Sequence, residues 1–430
     1  MRVLHVGNVG NNAYLNARFL REAGVECDVV DLNATALSTP EWEGDERPAW
    51  YVQGSVTDAL AQLRDGGEPA RPRRRSRSAG LLWRGRLAAG RLKRRVRPAP
   101  PTPEEEALVE RFADAFPDRS DRLTLGDVRL FGGVELWRSL LDGYDVVQCY
   151  ATYPLHALLA GIRPYVAYEH GTLRTFTLAD DPLSRMTALA YRESDHTFVT
   201  NGDCLPYARR IGIPSFSPMI HPLDVEKHER AGAPEAAAIR AGLDADVVLF
   251  CPMRHDWAVK GTDVHLRALP RVARRVKGRV ALLLCRWGAQ VREAERLLAK
   301  LGCAQDVVWL EPMPRERFIA TLKASDVVLD QMTLPHFDAT VPQALAAGVP
   351  AVMSYRPEST AWLVGEPAPV VAAFDEDGVA AAIEQALDPR WRSDFAERAR
   401  TWIHEQHHPR RVVAEHLRVY RRLVERMRDS

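Results

Sequence analysis

Short apolar runs, each bounded by polar or turn-forming residues, recur along the chain and alternate with segments of helical periodicity. They include residues 2–6, 145–149, 246–251, 281–285 and 327–329. A run of this length that is apolar on both faces is typical of a strand buried in a parallel sheet. The alternation of such strands with helices therefore predicts an α/β fold.

The first apolar run is followed by a turn rich in Gly and Asn, residues 7–12, where a positive φ costs little free energy. A helix with Leu15, Phe19 and Leu20 on one face comes next, and the following strand contains Asp31. Two interpretations of this unit stay open. It is a dinucleotide-binding turn, although its spacing departs from G-x-G-x-x-G, or it is a βα turn without a ligand.

Two further segments bear on the domain organisation. Residues 195–200 are predicted to form the last strand of the first half, and Pro218 and Pro222 suit the hinge that follows. Residues 409–427 repeat apolar side chains at three- and four-residue spacing, with arginines between them. That pattern predicts a long amphipathic helix at the end of the sequence.

Composition places the chain among ordinary globular proteins. Its 430 residues suffice for about two or three domains, and 46% hydrophobic and 27% charged residues are normal values. The net charge of +1 gives no overall bias toward nucleic acid, so no nucleic-acid partner is expected. No apolar run approaches the length of about 18 residues that a transmembrane helix needs. The sequence also shows no signal-peptide pattern, so a cytoplasmic location is expected.

The cysteines are scattered and show no C-x-x-C spacing. Several lie in or beside apolar runs, which predicts reduced core residues rather than a disulfide framework. We therefore expect no metal site formed by these cysteines. No bound cofactor is expected either. The residues are Cys27, Cys149, Cys204, Cys251, Cys285 and Cys303.

Between residues 66 and 103 the composition shifts to Pro, Ser and Arg, with apolar residues such as Leu82 and Trp83 among the cations of residues 71–97. Three interpretations stay open. The segment is an amphipathic stretch that contacts an anionic membrane surface or an acidic partner. It is a basic run with an aromatic residue that binds nucleic acid. It is an insertion whose arginines are simply solvated.

Residues 324–355 are predicted to form a strand, a loop, a helix and a second strand. The helix begins near Pro342 and Gln343, and the A-L-A-A-G-V-P sequence follows. This stretch resembles the nucleotide-sugar motif of the retaining group 1 (family 4-like) glycosyltransferases of GT-B fold. The two acidic positions of the family motif fall on Pro335 and Gln343. Asp338, a little further along the loop, is the candidate to act near the sugar instead.

The resemblance implies two Rossmann-like domains that face a cleft, with a C-terminal helix that packs back on the first domain. We expect residues 1–217 to form the acceptor domain, including the basic insertion of residues 66–103. Residues 218–245 are the expected linker, and residues 246–408 the nucleotide-sugar domain. Residues 409–430 are the expected crossing helix.

The resemblance also implies a donor site. Arg254 and Lys260 follow the first strand of the second domain, where the family holds the donor diphosphate. A departing nucleoside diphosphate gains negative charge, which an Arg fork and a Lys point charge stabilise. Gln343 is expected to bind the ribose. The other expected donor contacts are Met313, Gln331, His336 and Phe337.

His170 follows the strand at residues 165–168, and a His at this place in the family reaches the transferred sugar. His170 and Asp338 are therefore the expected catalytic residues. Gly10, Asn11 and Asn12 are expected on the acceptor side of the cleft.

The expected function is sugar transfer from a nucleoside-diphosphate sugar to an unknown acceptor, with retention of configuration and without a metal. The acceptor is a small molecule, a glycan or a lipid-linked molecule, and the location is cytoplasmic or peripheral at the inner membrane face. Because both family carboxylates are absent, a catalytically inactive scaffold that binds a nucleotide or a partner protein is the alternative. A nucleotide-sugar epimerase is a third interpretation, although no carboxylate pair suited to that chemistry is evident.

Overall fold

Two separate parallel β-sheets organise the fold, one in each half of the chain. The structure, a computed structural model, describes residues 1–32, 38–64 and 100–429. The basic segment of residues 71–97, with its expected membrane contact, lies outside the described residues.

The first sheet contains seven parallel strands in the order β3-β2-β1-β4-β5-β6-β7. Most are short and apolar on both faces, as strands covered by helices on both sides must be. The expected last strand is followed by one more, β7, which pairs with β6 at the sheet edge. The strands are β1 (Arg2–Val6), β2 (Glu26–Asp31), β3 (Tyr51–Gln53), β4 (Val146–Tyr150), β5 (Tyr165–Tyr168), β6 (His196–Val199) and β7 (Phe216–Pro218).

The second sheet contains six parallel strands in the order β10-β9-β8-β11-β12-β13. The order reverses direction at β8 and β11, which leaves a crevice at the carboxyl ends of these two strands, where α/β proteins bind ligands. The strands are β8 (Val247–Cys251), β9 (Val280–Cys285), β10 (Val307–Leu310), β11 (Val327–Leu329), β12 (Ala351–Met353) and β13 (Val371–Ala372).

Helices connect the strands, and several begin with side-chain caps that satisfy backbone N–H groups. Ser55 and Thr102 each form a capping box with the acidic residue of the first turn. In the first half the helices are α1 (Asn12–Glu22), α2 (Val56–Leu63), α3 (Pro103–Ala115), α4 (Leu125–Arg129), α5 (Val134–Leu141), α6 (Pro154–Ala160), α7 (Thr172–Thr175), α8 (Pro182–Arg192) and α9 (Leu205–Arg210).

The segment between the two sheets carries helices α10 (Val225–Arg230) and α11 (Ala233–Ala241), the first of which is capped by Asp224. The remaining helices are α12 (Trp257–Lys260), α13 (Thr262–Arg275), α14 (Val291–Leu301), α15 (Arg315–Ala324), α16 (Thr340–Ala346), α17 (Glu376–Leu387), α18 (Pro389–Gln406) and α19 (Pro409–Arg428). Among the described residues, no helix combines the length and apolar character needed to span a bilayer.

Helix α19 returns to the first half of the chain and packs on its sheet. The Tyr420 hydroxyl donates a hydrogen bond to Gln148 Oε1 on β4 at 2.7 Å, and Gln148 Nε2 lies 3.2 Å from His416 Nε2. Val419 and Leu423 are buried in the same core as Phe198 of β6. The long helix predicted from the amphipathic pattern is therefore confirmed, as is its packing on the first domain, which the family resemblance implied.

One hydrophobic cluster is shared between the two halves. It joins side chains of the first sheet, such as Tyr150, to Val341 of α16 and Trp402 of α18. All six cysteines are buried and unpaired, in keeping with reduced core residues. The shared cluster therefore packs the two halves of the chain against each other.

Candidate functional site

Loops at the carboxyl ends of the two sheets meet directly. Residue Gly202, after β6, lies so close to the loop after β12 that a Cβ atom there would be 1.8 Å from the backbone oxygen of Ser359. Nearby, Asp203 Oδ1 lies 3.8 Å from His336 Nε2, in the loop after β11. These contacts place the expected cleft where parallel-sheet proteins bind ligands.

Lys260 is buried at the centre of the second-sheet side of this cleft. It is the last residue of the single turn α12, and Gly261, with φ +62°, separates it from α13. Its backbone oxygen accepts a hydrogen bond from Met332 N–H at 2.8 Å, which ties the turn to the loop after β11. Its ammonium group forms an ion pair with the carboxylate of Asp338.

The Lys260 ammonium keeps Asp338 ionised. Burial by itself would raise the pKa of the Asp338 carboxyl, but the charge and hydrogen bond of Lys260, helped by His336 and Arg174, lower it below its usual range. The structure thus brings together two predicted site residues, Lys260 and Asp338, as a charged pair.

Asp330, directly after β11, is a second carboxyl in the same place and was not predicted. Its side chain is fully buried, and no hydrogen bond of good geometry reaches either carboxylate oxygen from the described residues. Burial and the neighbouring Asp338 charge raise the pKa of Asp330 to about 7. Lys260 and the N–H groups of Gln331 and Asp338 act in the opposite direction. Asp330 and Asp338 are thus a carboxylate pair that was not evident from the sequence.

Gln331 and His336 lie beside these carboxyls. Gln331 Nε2 donates a hydrogen bond to the backbone oxygen of His336, and its Oε1 has no partner among the described residues. The His336 ring is 1% exposed, and neither ring nitrogen is hydrogen-bonded within that part of the chain. Buried polar atoms without partners are costly, so this group is suited to the hydroxyls of a bound ligand.

Asp203, which faces His336, is held by the first sheet's own loops. Arg174 Nη1 donates to both Asp203 oxygens at 2.6 and 2.8 Å. Burial lowers the pKa of His336, against the opposing effects of the Asp203 and Asp338 charges. The His336 ring is therefore neutral near pH 7, and it lies between groups from both halves of the chain.

His170 lies on the first-sheet side of the cleft. Its ring stacks on that of His221, with centroids 5.0 Å apart and planes 8° from parallel, and its Nε2 atom has no partner among the described residues. Burial, followed by the effect of His221, lowers the pKa of His170 well below its usual range, so the ring is neutral. The Asp338 charge is near enough to oppose the effect of burial on the pKa of His221. Glu169 turns away and accepts from Asn201 Nδ2 at 2.9 Å.

Arg254 is the exposed cation of the site. Its side chain is 43% exposed, and its Nε lies 3.4 Å from Asp256 Oδ2. With Nε directed at Asp256, the exposed guanidinium keeps further N–H donors that can reach a phosphate.

Gln343, on α16, is engaged at both ends of its amide. Its Nε2 donates to the backbone oxygen of Ala339 at 2.9 Å, and its Oε1 accepts from Arg315. Arg315 also forms two bonds of 3.0 Å with the Glu43 carboxylate of the first half. Sequence reasoning missed Arg315, which looks like a helix-surface cation, and Glu43, which lies outside the segments that resemble the family.

The three residues expected on the acceptor side, Gly10, Asn11 and Asn12, lie in the turn after β1 and at the start of α1. Asn11, in the left-handed region at φ 64°, donates to the Thr39 backbone oxygen at 3.0 Å and to Glu43 Oε1 at 3.1 Å. Asn12 donates to the backbone oxygen of Val9 at 3.1 Å, and Gly10 has φ 58°. These residues therefore shape the turn and hold the loop that carries Glu43.

Met313 and Phe337 are packing residues. Met313 is 7% exposed within the core of the second half, where its Sδ accepts from the Thr321 hydroxyl at 3.3 Å. The Phe337 ring packs edge-on against Trp402, 5.6 Å away between centroids, and lies 6.3 Å from Tyr355. Within the described residues, no group of three His, Cys, Asp or Glu side chains could hold a metal ion.

Residues 245–389, which contain β8 to β13 and the Lys260–Asp338 pair, match the model of the family described as glycosyl transferases group 1. These residues form a group 1 glycosyltransferase domain. The family and the α/β GT-B fold expected from the sequence are confirmed.

Two curated relatives of this chain are named as sugar transferases. A GDP-mannose-dependent α-(1-6)-phosphatidylinositol monomannoside mannosyltransferase of Mycolicibacterium smegmatis is 30% identical over 56% of this chain and 66% of its own length. A D-inositol 3-phosphate glycosyltransferase of Catenulispora acidiphila is 28% identical over 40% of this chain and 42% of its own length. The chain thus spans less than two thirds of either relative's length in these matches.

Solved structures share the fold across the whole chain. Anabaena HepE in complex with UDP and glucose superposes with a TM-score of 0.63 at 14% identity, covering 100% of both chains. Sucrose-phosphate synthase of Thermosynechococcus elongatus superposes with a TM-score of 0.62 at 14% identity, covering 98% of this chain and 99% of that one.

Proposed function

We propose that the protein transfers a sugar from a nucleoside-diphosphate sugar to an acceptor. The observation that carries the proposal is the buried Lys260 ammonium at the carboxyl end of the second sheet. It lies beside polar atoms that make no hydrogen bond of good geometry within the described residues: both Asp330 carboxylate oxygens, Gln331 Oε1 and both His336 ring nitrogens. A buried cation next to unsatisfied polar atoms is suited to a ligand that carries both phosphate and hydroxyl groups.

The Lys260–Asp338 pair has a defined part in the proposed reaction. In the absence of a donor, Asp338 supplies the negative charge that Lys260 needs as a buried cation. A donor diphosphate supplies that charge in its place and releases Asp338 toward the sugar. Arg254 adds a second, exposed cation for the phosphates. As the bond to the sugar breaks, both cations stabilise the growing negative charge of the leaving group.

His170 has the neutral form that such a site requires. An uncharged imidazole can donate one hydrogen bond and accept another, so it can hold a sugar hydroxyl or a phosphate oxygen without adding charge. We propose retention of configuration on the basis of the resemblance to the retaining group 1 enzymes.

The relatives support a choice of donors. One relative is named as dependent on GDP-mannose, and HepE has been solved with UDP-glucose. We therefore propose a GDP- or UDP-hexose donor and an acceptor that is a small molecule, a glycan or a lipid-linked sugar. A cytoplasmic location, with peripheral contact at the inner membrane face, and independence of metal ions belong to the same proposal.

A catalytically inactive scaffold is the second candidate. It is favoured by Pro335 and Gln343 at the two acidic positions of the family. Such a protein would bind a nucleotide sugar and release no product.

The test is to incubate the purified protein with GDP-mannose, UDP-glucose and ADP-glucose and to measure the free nucleoside diphosphate, with thermal stabilisation in parallel. Slow release from one donor, abolished in Lys260→Ala and kept in the exposed-residue control Lys300→Ala, supports the transferase. Stabilisation without release, even with candidate acceptors added, supports the scaffold. No stabilisation by any donor contradicts the proposed site.

A further inference from the structure

A largely buried chain of polar side chains connects the two halves of the molecule. It runs from Glu43 through Arg315 to Gln343, which we name the Glu43–Arg315–Gln343 bridge. The Glu43 side chain is 5% exposed and that of Arg315 16%. Their two parallel bonds, Nε to Oε2 and Nη2 to Oε1, are both 3.0 Å long. This forked geometry is the strong and specific form of an arginine–carboxylate pair.

Glu43 is fixed from the first half of the chain. Asn11 Nδ2 donates to its Oε1 at 3.1 Å, and the Lys227 ammonium donates to its backbone oxygen. Burial by itself would raise the pKa of the Glu43 carboxyl, but the Arg315 charge and hydrogen bonds lower it below its usual range, so Glu43 is ionised. The loop that carries it, Pro40–Glu43, is capped by Thr39. The carboxylate is therefore a rigid, charged support.

Arg315 in turn fixes the amide of Gln343. A guanidinium has only donors, so the Gln343 atom that faces it must be the carbonyl oxygen. The Nε2 group is then directed to the other side, where it donates to the Ala339 oxygen at 2.9 Å. Without Arg315, the amide could rotate by half a turn and exchange its donor and acceptor ends. A glutamate at this position would present only acceptors and would need no such support.

The family resemblance implies that Gln343 binds the ribose of the donor, and the inference rests on that expectation and on the proposed function. We propose that Arg315 is a positioning residue for the nucleoside end of the donor, held in place by Glu43 of the opposite domain. The first domain thereby takes part in nucleotide recognition through the bridge. The phosphate end depends instead on Lys260 and Arg254, which make no hydrogen bond to the bridge among the described residues.

Isothermal titration calorimetry with GDP, UDP and pyrophosphate tests this assignment. Pyrophosphate has the phosphate groups but no nucleoside, so its affinity reports on the phosphate end alone. In Glu43→Gln, the affinity for the better nucleoside diphosphate falls about tenfold or more, the usual effect of losing a hydrogen bond to a charged group. Pyrophosphate affinity stays within about twofold of the wild type. Lys260→Ala, in contrast, lowers the affinity for the nucleoside diphosphate and for pyrophosphate alike.

Matched controls lie in the same segments. Glu41, whose partner is Arg47, has the same charge two positions away, so Glu41→Gln keeps wild-type affinity for all three ligands. Arg317→Gln is the corresponding control on α15, because its side chain is 59% exposed. Arg315→Lys keeps the charge but loses the fork, and it weakens nucleoside diphosphate binding as Glu43→Gln does. In the double variant, Glu43→Gln with Arg315→Lys, the losses of binding free energy are not additive, because both substitutions disrupt the same bridge.

Three results overturn the inference. In the first, Glu43→Gln binds nucleoside diphosphates as tightly as the wild type. In the second, it loses pyrophosphate affinity to the same extent, which indicates a general structural role. In both cases the proposed transferase function stands. In the third, the wild type binds none of the three ligands, and the proposed function fails as well.

Discussion

Asp330→Asn tests the electrostatics of the site without any knowledge of the donor. The Asp330 carboxyl is fully buried, and its pKa is raised to about 7 from the ordinary value of 3.8. Between these two values the folded protein binds a proton that the unfolded chain has released. Stability therefore falls as the pH rises from about 4 to about 7, and the loss is complete above that range.

The magnitude follows from the part of the titration that the experiment covers. Between about pH 5 and about pH 7, Asp330 keeps its proton in the folded protein and has lost it in the unfolded chain. From about pH 7 to about pH 8 the carboxyl is largely ionised in both states, so only about two pH units contribute to the change in stability. Two units correspond to about 2.7 kcal/mol of unfolding free energy. For a domain of the size of the second half, this equals a change in melting temperature of about 5 °C or more. An asparagine carries no charge, so the variant is spared this loss.

The assay compares melting temperatures of wild type and Asp330→Asn at about pH 5 and about pH 8 in the same salt. The advantage of the variant should grow by about 5 °C or more between the two pH values. Asp394→Asn, which changes an exposed carboxylate on α18, should give the same small difference at both. If the difference in melting temperature between Asp330→Asn and the wild type does not change with pH, the raised pKa of Asp330 is refuted.

Three further predictions concern activity and the contact between the two halves. Lys260→Ala should lower nucleoside diphosphate release by about a hundredfold or more, and near-normal turnover would remove Lys260 from the diphosphate site. Gly202→Ala should lower activity by about tenfold or more in a protein that still melts cooperatively, because its methyl group would push the Ser359 loop away. Unchanged activity would mean that the approach of the two loops has no role. Tyr420→Phe should cost about 1–3 kcal/mol in urea unfolding, since Gln148 Oε1 stays buried without this donor. A smaller cost would indicate that water replaces the hydroxyl.

The fold could be predicted because its determinants are local. Each buried parallel strand must be apolar on both faces, and runs such as Val247–Cys251 and Val280–Cys285 show this directly in the sequence. Strand β7 escaped prediction because Phe216–Pro218 is only three residues long and ends in a proline. The crossing helix was predictable from its one-sided pattern of apolar residues.

The site was predictable only where motif and geometry coincide. Lys260 was chosen from the family resemblance and Asp338 as an acid just past the motif position that Pro335 occupies, and the structure places them in one ion pair. Asp330 was passed over because a carboxylate after a strand usually faces solvent, and only the folded structure shows its burial. Glu43 and Arg315 are 272 positions apart, and no periodicity or motif relates them.

The crossing helix α19 also has a consequence for how the protein is made. The first sheet is complete in sequence at Pro218, yet the side chains that cover Tyr168 and Phe198 come from His416 and its neighbours. A ribosome that adds residues in order delivers these groups only after the second sheet. The first half therefore waits, with part of its apolar surface uncovered, until the second half has left the ribosome. Domains usually fold in the order of their synthesis, and here the first to be synthesised is the last to be finished.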